Sequence, residues 1–131
     1  WVATRRRNAS LLTRRLANCP GLDVTDPPKG IGHSYYKYYA FVRPEKLRTG
    51  QNRDRIIASI DAEGIPCFSG ICSEIYLEKA FPENRRPKHR LPVAKKLGET
   101  SMMFLVHPTL SEQDMLDTSF AIEKVMRSAT R

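Results

Sequence analysis

Ten residues from His33 to Val42 hold four tyrosines, a phenylalanine and a single charge, Lys37. Aromatic faces at this density can stack on a nucleobase, which any base accepts, or fill a core. A lysine amid such a run is costly to desolvate unless an anion is near, which leaves two readings for Lys37: a phosphate contact or a place at an interface. A second candidate is Ser69-Gly70-Ile71-Cys72-Ser73, where small polar side chains and free backbone amides precede a stretch with helical character. A helix start there would favour an anion, or the stretch would simply be a helix cap. The three histidines, His33, His89 and His107, fall at no metal-ligand spacing, and Cys19, Cys67 and Cys72 match no zinc ribbon or finger. We read the thiols as reduced and structural, with Cys72 as the one that could react. His107 before Pro108 reads as a hydrogen-bonded structural residue. No glycine-rich phosphate loop, metalloprotease pair, calcium loop or nucleophile elbow is present, so the chain carries no self-contained active site.

These residues need a scaffold, and 131 residues with 40% hydrophobic and 27% charged content suit one domain over 1–131. The longest apolar run, Met102 to Val106, is far short of a membrane span. No secretory pattern opens the chain, and the expected setting is the cytoplasm. The missing initiator Met suggests a piece of a longer protein. The net charge of +8 is uneven: residues 1–19 carry +5 and residues 82–100 carry +4. Nucleic-acid binding, a solvated helix face with a surface loop, and attraction of small anions such as nucleotide diphosphates each account for such clusters.

Periodicity supplies the elements. Ala9, Leu12 and Leu16 form one apolar stripe on a basic helix that ends at Pro20-Gly21. The aromatic run predicts a strand over 33–42, with Tyr36, Tyr38, Ala40 and Val42 on one face and Tyr35, Lys37, Tyr39 and Phe41 on the other. Asn52 caps a short helix carrying Ile56, Ile57 and Ile60 and closing at Gly64. An edge strand over 65–68 contains Pro66, two helical turns span 73–81, and a basic loop follows. A short helix runs from Pro92 to Gly98, a strand covers 101–106, and Ser111 with Asp114 opens a terminal helix with Met115, Ile122, Val125 and Ala129 inside. The sum is an α+β fold, with helices on one face of a small antiparallel or mixed sheet of three to four strands.

Taken in order, the Arg6-Arg7-Asn8-Ala9 helix, Pro20-Gly21, the aromatic strand Tyr36 to Val42, the Arg53-Asp54 helix closing on Gly64-Ile65, and His107-Pro108-x-Leu110-Ser111 before a helix resemble a known domain. It is the C-terminal small domain of the DegT-type, pyridoxal-phosphate-dependent nucleotide-sugar aminotransferases, and the resemblance spans almost the whole chain. It implies amino transfer, usually from glutamate, to a keto nucleotide sugar in polysaccharide precursor synthesis. It also implies that pyridoxal 5′-phosphate and its Schiff-base lysine belong to a large domain N-terminal to this stretch in the same chain. The 131 residues would then be inactive alone, would cover the cofactor cleft, and would work within a homodimer. Tyr36, Lys37, Ser69, Cys72 and Tyr76 are the residues the resemblance assigns to the substrate pocket. Many members have a His-Tyr pair where Gly70-Ile71 stand and a histidine where Tyr76 stands, which implies a different pocket here. The alternatives are a basic α+β nucleic-acid-binding module and a partner-binding relic without catalysis.

Overall fold

The computed structural model describes residues 1–70 and 72–131; Ile71, a member of the small-residue run, lies outside the described residues. The chain builds helix α1 (Val2–Leu16), strand β1 (Leu22–Val24), strand β2 (Tyr38–Val42), helix α2 (Arg53–Ala62), strand β3 (Cys67–Ser69), helix α3 (Pro92–Thr100), strand β4 (Ser101–Phe104) and helix α4 (Glu112–Ala129). The strands form one antiparallel sheet in the order β1-β2-β4-β3.

Register decides which side chains meet the helices. Leu22 lies opposite Val42, Ala40 opposite Met102, and Tyr38 and Cys67 both opposite Phe104, so these residues share one face. That face is sealed by α1, α2 and α4, with Leu12, Leu16, Ile56, Ile60, Ile122 and Met126 fully buried. Burial of each such side chain contributes roughly 1.5–3 kcal/mol, which makes this layer the main source of stability. The opposite face carries Tyr39, Phe41, Ser101, Met103 and Phe68, and α3 packs along part of it beside β2.

Polar groups fix how the layers meet. The buried Asn8 amide of α1 donates to the carbonyls of His107 and Leu110 (3.3 and 3.4 Å), clamping the β4–α4 connection onto α1. The His107 ring bonds locally, with Nδ1 2.8 Å from the Thr109 hydroxyl. Tyr38 buries its ring and meets the Thr13 hydroxyl at 3.0 Å, which joins β2 to α1. The Asn52 side chain accepts from the Arg55 amide (2.9 Å), and Ser111 and Asp114 form a reciprocal capping box. At the end of α2, Gly64 is left-handed, with its amide bonded to Asp61 and that of Ile65 to Ile60, the hydrogen-bond pattern of a Schellman close.

Several expectations need correction. The aromatic strand begins at Tyr38 rather than His33, because Tyr35 takes a left-handed conformation (φ 47°) and its amide donates to His33 Nδ1. Tyr36 therefore leaves the strand and stands in solvent. Residues 73–81 make one 3-10 turn, Ile75–Leu77, instead of two α-helical turns, since the Glu74 and Tyr76 side chains are bound to Arg90 and the Leu91 amide. The anion-favouring helix start after Ser73 is accordingly absent. Finally, β1 forms at Leu22–Val24, where three residues gain strand structure only by pairing with β2; the last strand stops at Phe104, and α3 continues to Thr100.

Candidate functional site

An antiparallel sheet with one packed face usually shows water a polar second face. Here Tyr39 and Phe41 project from β2 as a half-buried aromatic ridge, because alternation places them opposite the core residues Tyr38, Ala40 and Val42. Two grooves flank the ridge. The larger, about 530 Å³, lies between the ridge and α3 and is lined by Gly70, Cys72, Ser73, Leu91, Val93, Ala94, Leu97 and Ser101 besides Tyr39 and Phe41. The smaller, about 430 Å³, lies under the 25–37 loop and is lined by Asp26, Pro27, Pro28, Ile31, His33, Tyr35, Lys37 and others.

Close packing shapes the larger groove. A side chain at Gly70 would collide with Ser101 and press on the Tyr39 ring, and one at Gly98 would collide with Ser73. Glycine at 70 thus lets Ser101 and the Tyr39 ring approach the backbone at the floor of the groove. Leu91, Val93 and Leu97 remain exposed along α3 and its entry, so the groove is an apolar surface with no charged residue in its lining.

The loop from Cys72 to Leu91 is closed by one polar knot. Glu74 receives both a bond from Arg90 Nε (2.9 Å) and an ion pair from its terminal nitrogen, while the Tyr76 hydroxyl donates to Glu74 (2.6 Å) and accepts from the Leu91 amide (2.9 Å). Arg90, then Tyr76, hold the Glu74 carboxyl down to about 2. Arg90 is driven upward by the same carboxylate. The Cys72 thiol donates to Glu78 (3.1 Å), and that bond raises its pKa. Burial pushes Cys19 up to about 11 and Cys67 up to about 12. None of the three thiols is activated as a thiolate.

The five assigned substrate residues separate. Lys37 lines the smaller groove and Cys72 the larger. Tyr36 is exposed beside Lys37, whose ammonium lies 5.5 Å from its ring centre. Ser69 is exposed at the end of edge strand β3, and Tyr76 is engaged in the Glu74 knot. Alternation along the aromatic strand predicts that Tyr39, Phe41 and Lys37 share a face, whereas Asp26, His33 and Leu91 join the grooves through contacts that spacing alone does not show. Among the described residues no group of three or more His, Cys, Asp or Glu is placed to hold a metal, and no helix is long and apolar enough to cross a membrane.

Comparison with known proteins places this geometry. Residues 1–122 match the model of the DegT/DnrJ/EryC1/StrS aminotransferase family. The aminotransferase from Psychrobacter cryohalolentis is 44% identical, with 98% of this chain and 35% of that one covered and a TM-score of 0.91. A DegT DnrJ EryC1 StrS aminotransferase from Brucella abortus is 25% identical, covering 97% of this chain and 30% of that one, with a TM-score of 0.73. The sugar aminotransferase CalS13 from Micromonospora echinospora shares the fold at 17% identity, with 94% of this chain and 30% of that one covered and a TM-score of 0.77. The chain spans about a third of the length of the solved structures it matches. No curated protein matches it.

Proposed function

Since the chain belongs to the DegT/DnrJ/EryC1/StrS aminotransferase family, we propose that it is the C-terminal small domain of an aminotransferase that uses pyridoxal 5′-phosphate to move an amino group from glutamate to a keto nucleotide sugar. The observation that carries this reading is the match over nearly the whole of this chain to only a third of a 44% identical aminotransferase. The rest of the catalytic body then lies in a larger domain of the same protein, in the cytoplasm and within a homodimer.

The residues present do not fit the cofactor. Every lysine side chain is exposed or half-buried, and Lys95 and Lys124 are paired with Glu99 and Glu63. None is enclosed where a Schiff base could be shielded from water. The cofactor's contribution, stabilising negative charge at the carbon that gains or loses the amino group, is therefore assigned to the larger domain. This chain covers, orients and dries the cleft. The Leu91–Leu97 side of the larger groove seats against the larger domain, and removing that apolar surface from water stabilises the closed arrangement. Tyr36 and Lys37 on one side of the ridge, and Ser69, Cys72 and the Tyr76-anchored loop on the other, border the substrate.

Part of the basic charge that a nucleic-acid role would draw on is engaged within the fold. Arg43 pairs with Asp23, Arg90 with Glu74 and Arg15 with Glu123, and Arg6, Arg48 and Arg131 bond backbone carbonyls. The function is tested by supplying the protein, complete with its larger domain, with glutamate, the cofactor and a keto nucleotide sugar. Formation of 2-oxoglutarate and the amino sugar is expected. Release of neither, with the cofactor bound, would contradict the reading.

A further inference from the structure

We infer that residues 72–100 form a flap that opens from the sheet as one cooperative unit, hinged where β3 meets β4 and clasped by Glu74, Tyr76 and Arg90. The two strands are antiparallel neighbours, with Ser69 opposite Met102. Such neighbours are commonly joined by about 2–5 residues, whereas here the connection runs from the end of β3 at Ser69 to the start of β4 at Ser101 and takes in all of α3. Its ends leave the sheet side by side, since a Cβ at Gly70 would strike the Ser101 side chain. A long excursion with touching ends can turn about that one place.

Polar bonds divide the molecule at the same boundary. Among the described residues, every side-chain hydrogen bond and ion pair of 72–100 ends inside that span, as in the bonds of Glu74 with Arg90 and Tyr76 and of Cys72 with Glu78. The turn amides of Leu77, Glu78, Phe81, Arg85 and Arg86 find their acceptors there too. The helices of the sealed face are tied across instead: Asn8 to the His107 carbonyl, Arg15 to Glu123 and Lys124 to Glu63. Apolar contact between α3 and β2 holds the flap down, and it is incomplete, because a groove of about 530 Å³ opens between Leu91, Val93 and Leu97 on one side and Tyr39 and Phe41 on the other. A part with no polar bonds to its surroundings and a loosely filled contact opens at lower free energy than the core.

The clasp makes the flap one piece. Glu74 and Tyr76, near its start, hold Arg90 and the Leu91 amide at the entry to α3. Ser73 lies so close to Gly98, in the last turn of α3, that a Cβ there would collide with it. The 73–76 strip is thereby held along the helix from end to end. Opening uncovers Tyr39, Phe41 and the apolar side of α3 without breaking a bond of the sheet.

Hydrogen–deuterium exchange of the protein, read by mass spectrometry of peptic fragments, tests the flap. Protected amides from 72–100 should share one opening free energy, below that of α2 and α4. Tyr76→Phe, which deletes the hydroxyl and keeps the ring, and Arg90→Gln should each speed exchange across the whole span, α3 included, by about tenfold, as expected for one lost hydrogen bond to a charged group. Exchange in α2 and α4 should stay as it was, which also shows in the same sample that each variant is folded. Gly98→Ala should speed exchange in α3 as well, even though alanine is the better helix former. The flap is overturned if wild-type α3 opens only together with α2 and α4, or if α3 exchanges more slowly in Gly98→Ala. It is equally overturned if faster exchange in the two clasp variants is absent, confined to the fragments around residues 76 and 90, or spread to α2 and α4. None of these outcomes bears on amino transfer, which the reaction itself tests.

Discussion

Glu74 has three bonds to one carboxylate, and its titration follows from them. Its folded pKa of about 2 lies below the ordinary 4.5, so its contribution is complete above pH 4.5 and is lost as pH falls towards 2. The Leu91 amide, which donates to Tyr76 in the same knot, should keep its NMR shift from pH 8 to 5 and move between pH 4.5 and 2. In Glu74→Gln that amide should be displaced already at pH 7; an unchanged amide would show that the knot does not hold the loop. Gly21 is constrained differently. Its φ of +67° disfavours any side chain, and a Cβ would lie 2.5 Å from Thr130 Cγ2. Gly21→Ala should lower the stability measured by urea unfolding by about 1–3 kcal/mol. Cys72 is the exposed thiol, yet its bond to Glu78 disfavours the thiolate. Native alkylation followed by mass spectrometry should label Cys72 first but slowly, and Glu78→Gln should speed it.

Elements whose signals are local were readable from their residues; those set by distant partners were not. The Asn52 and Ser111 caps, the Gly64 close and the Ile56/Ile60 stripe each depend on neighbours within about one turn, and all stand where the spacing put them. Ser111→Ala removes both halves of the α4 cap and should cost about 0.5–2 kcal/mol in thermal or urea unfolding. By contrast, Leu22-Asp23-Val24 is too short to announce a strand and becomes one only against β2. The stretch 73–81 carries residues compatible with a helix, but Arg90, fourteen residues or more away in sequence from Ser73 through Tyr76, captures Glu74 and unwinds it. Tyr35 follows the same rule: a left-handed bend stabilised by His33 and Arg6 ends a strand that aromatic propensity alone would extend. Of the candidate site, alternation made Lys37, Tyr39 and Phe41 neighbours in advance. The close approach at Gly70 and the placement of Asp26 required the third dimension.

At the scale of the molecule, one sheet face is finished and the other is not. Three helices and a continuous apolar layer seal the first, while the second shows an aromatic ridge, two grooves and the exposed Leu91, Val93 and Leu97. In the proposed function, this second face covers and dries chemistry carried out by a larger domain beside it. The most direct measurement is mass spectrometry of the 131-residue chain after incubation with micromolar pyridoxal 5′-phosphate and reduction with borohydride. The account predicts no stoichiometric adduct at any lysine, because every lysine is exposed or only half-buried. One lysine modified to completion under those conditions would mean that this chain holds the cofactor itself, and would contradict the account.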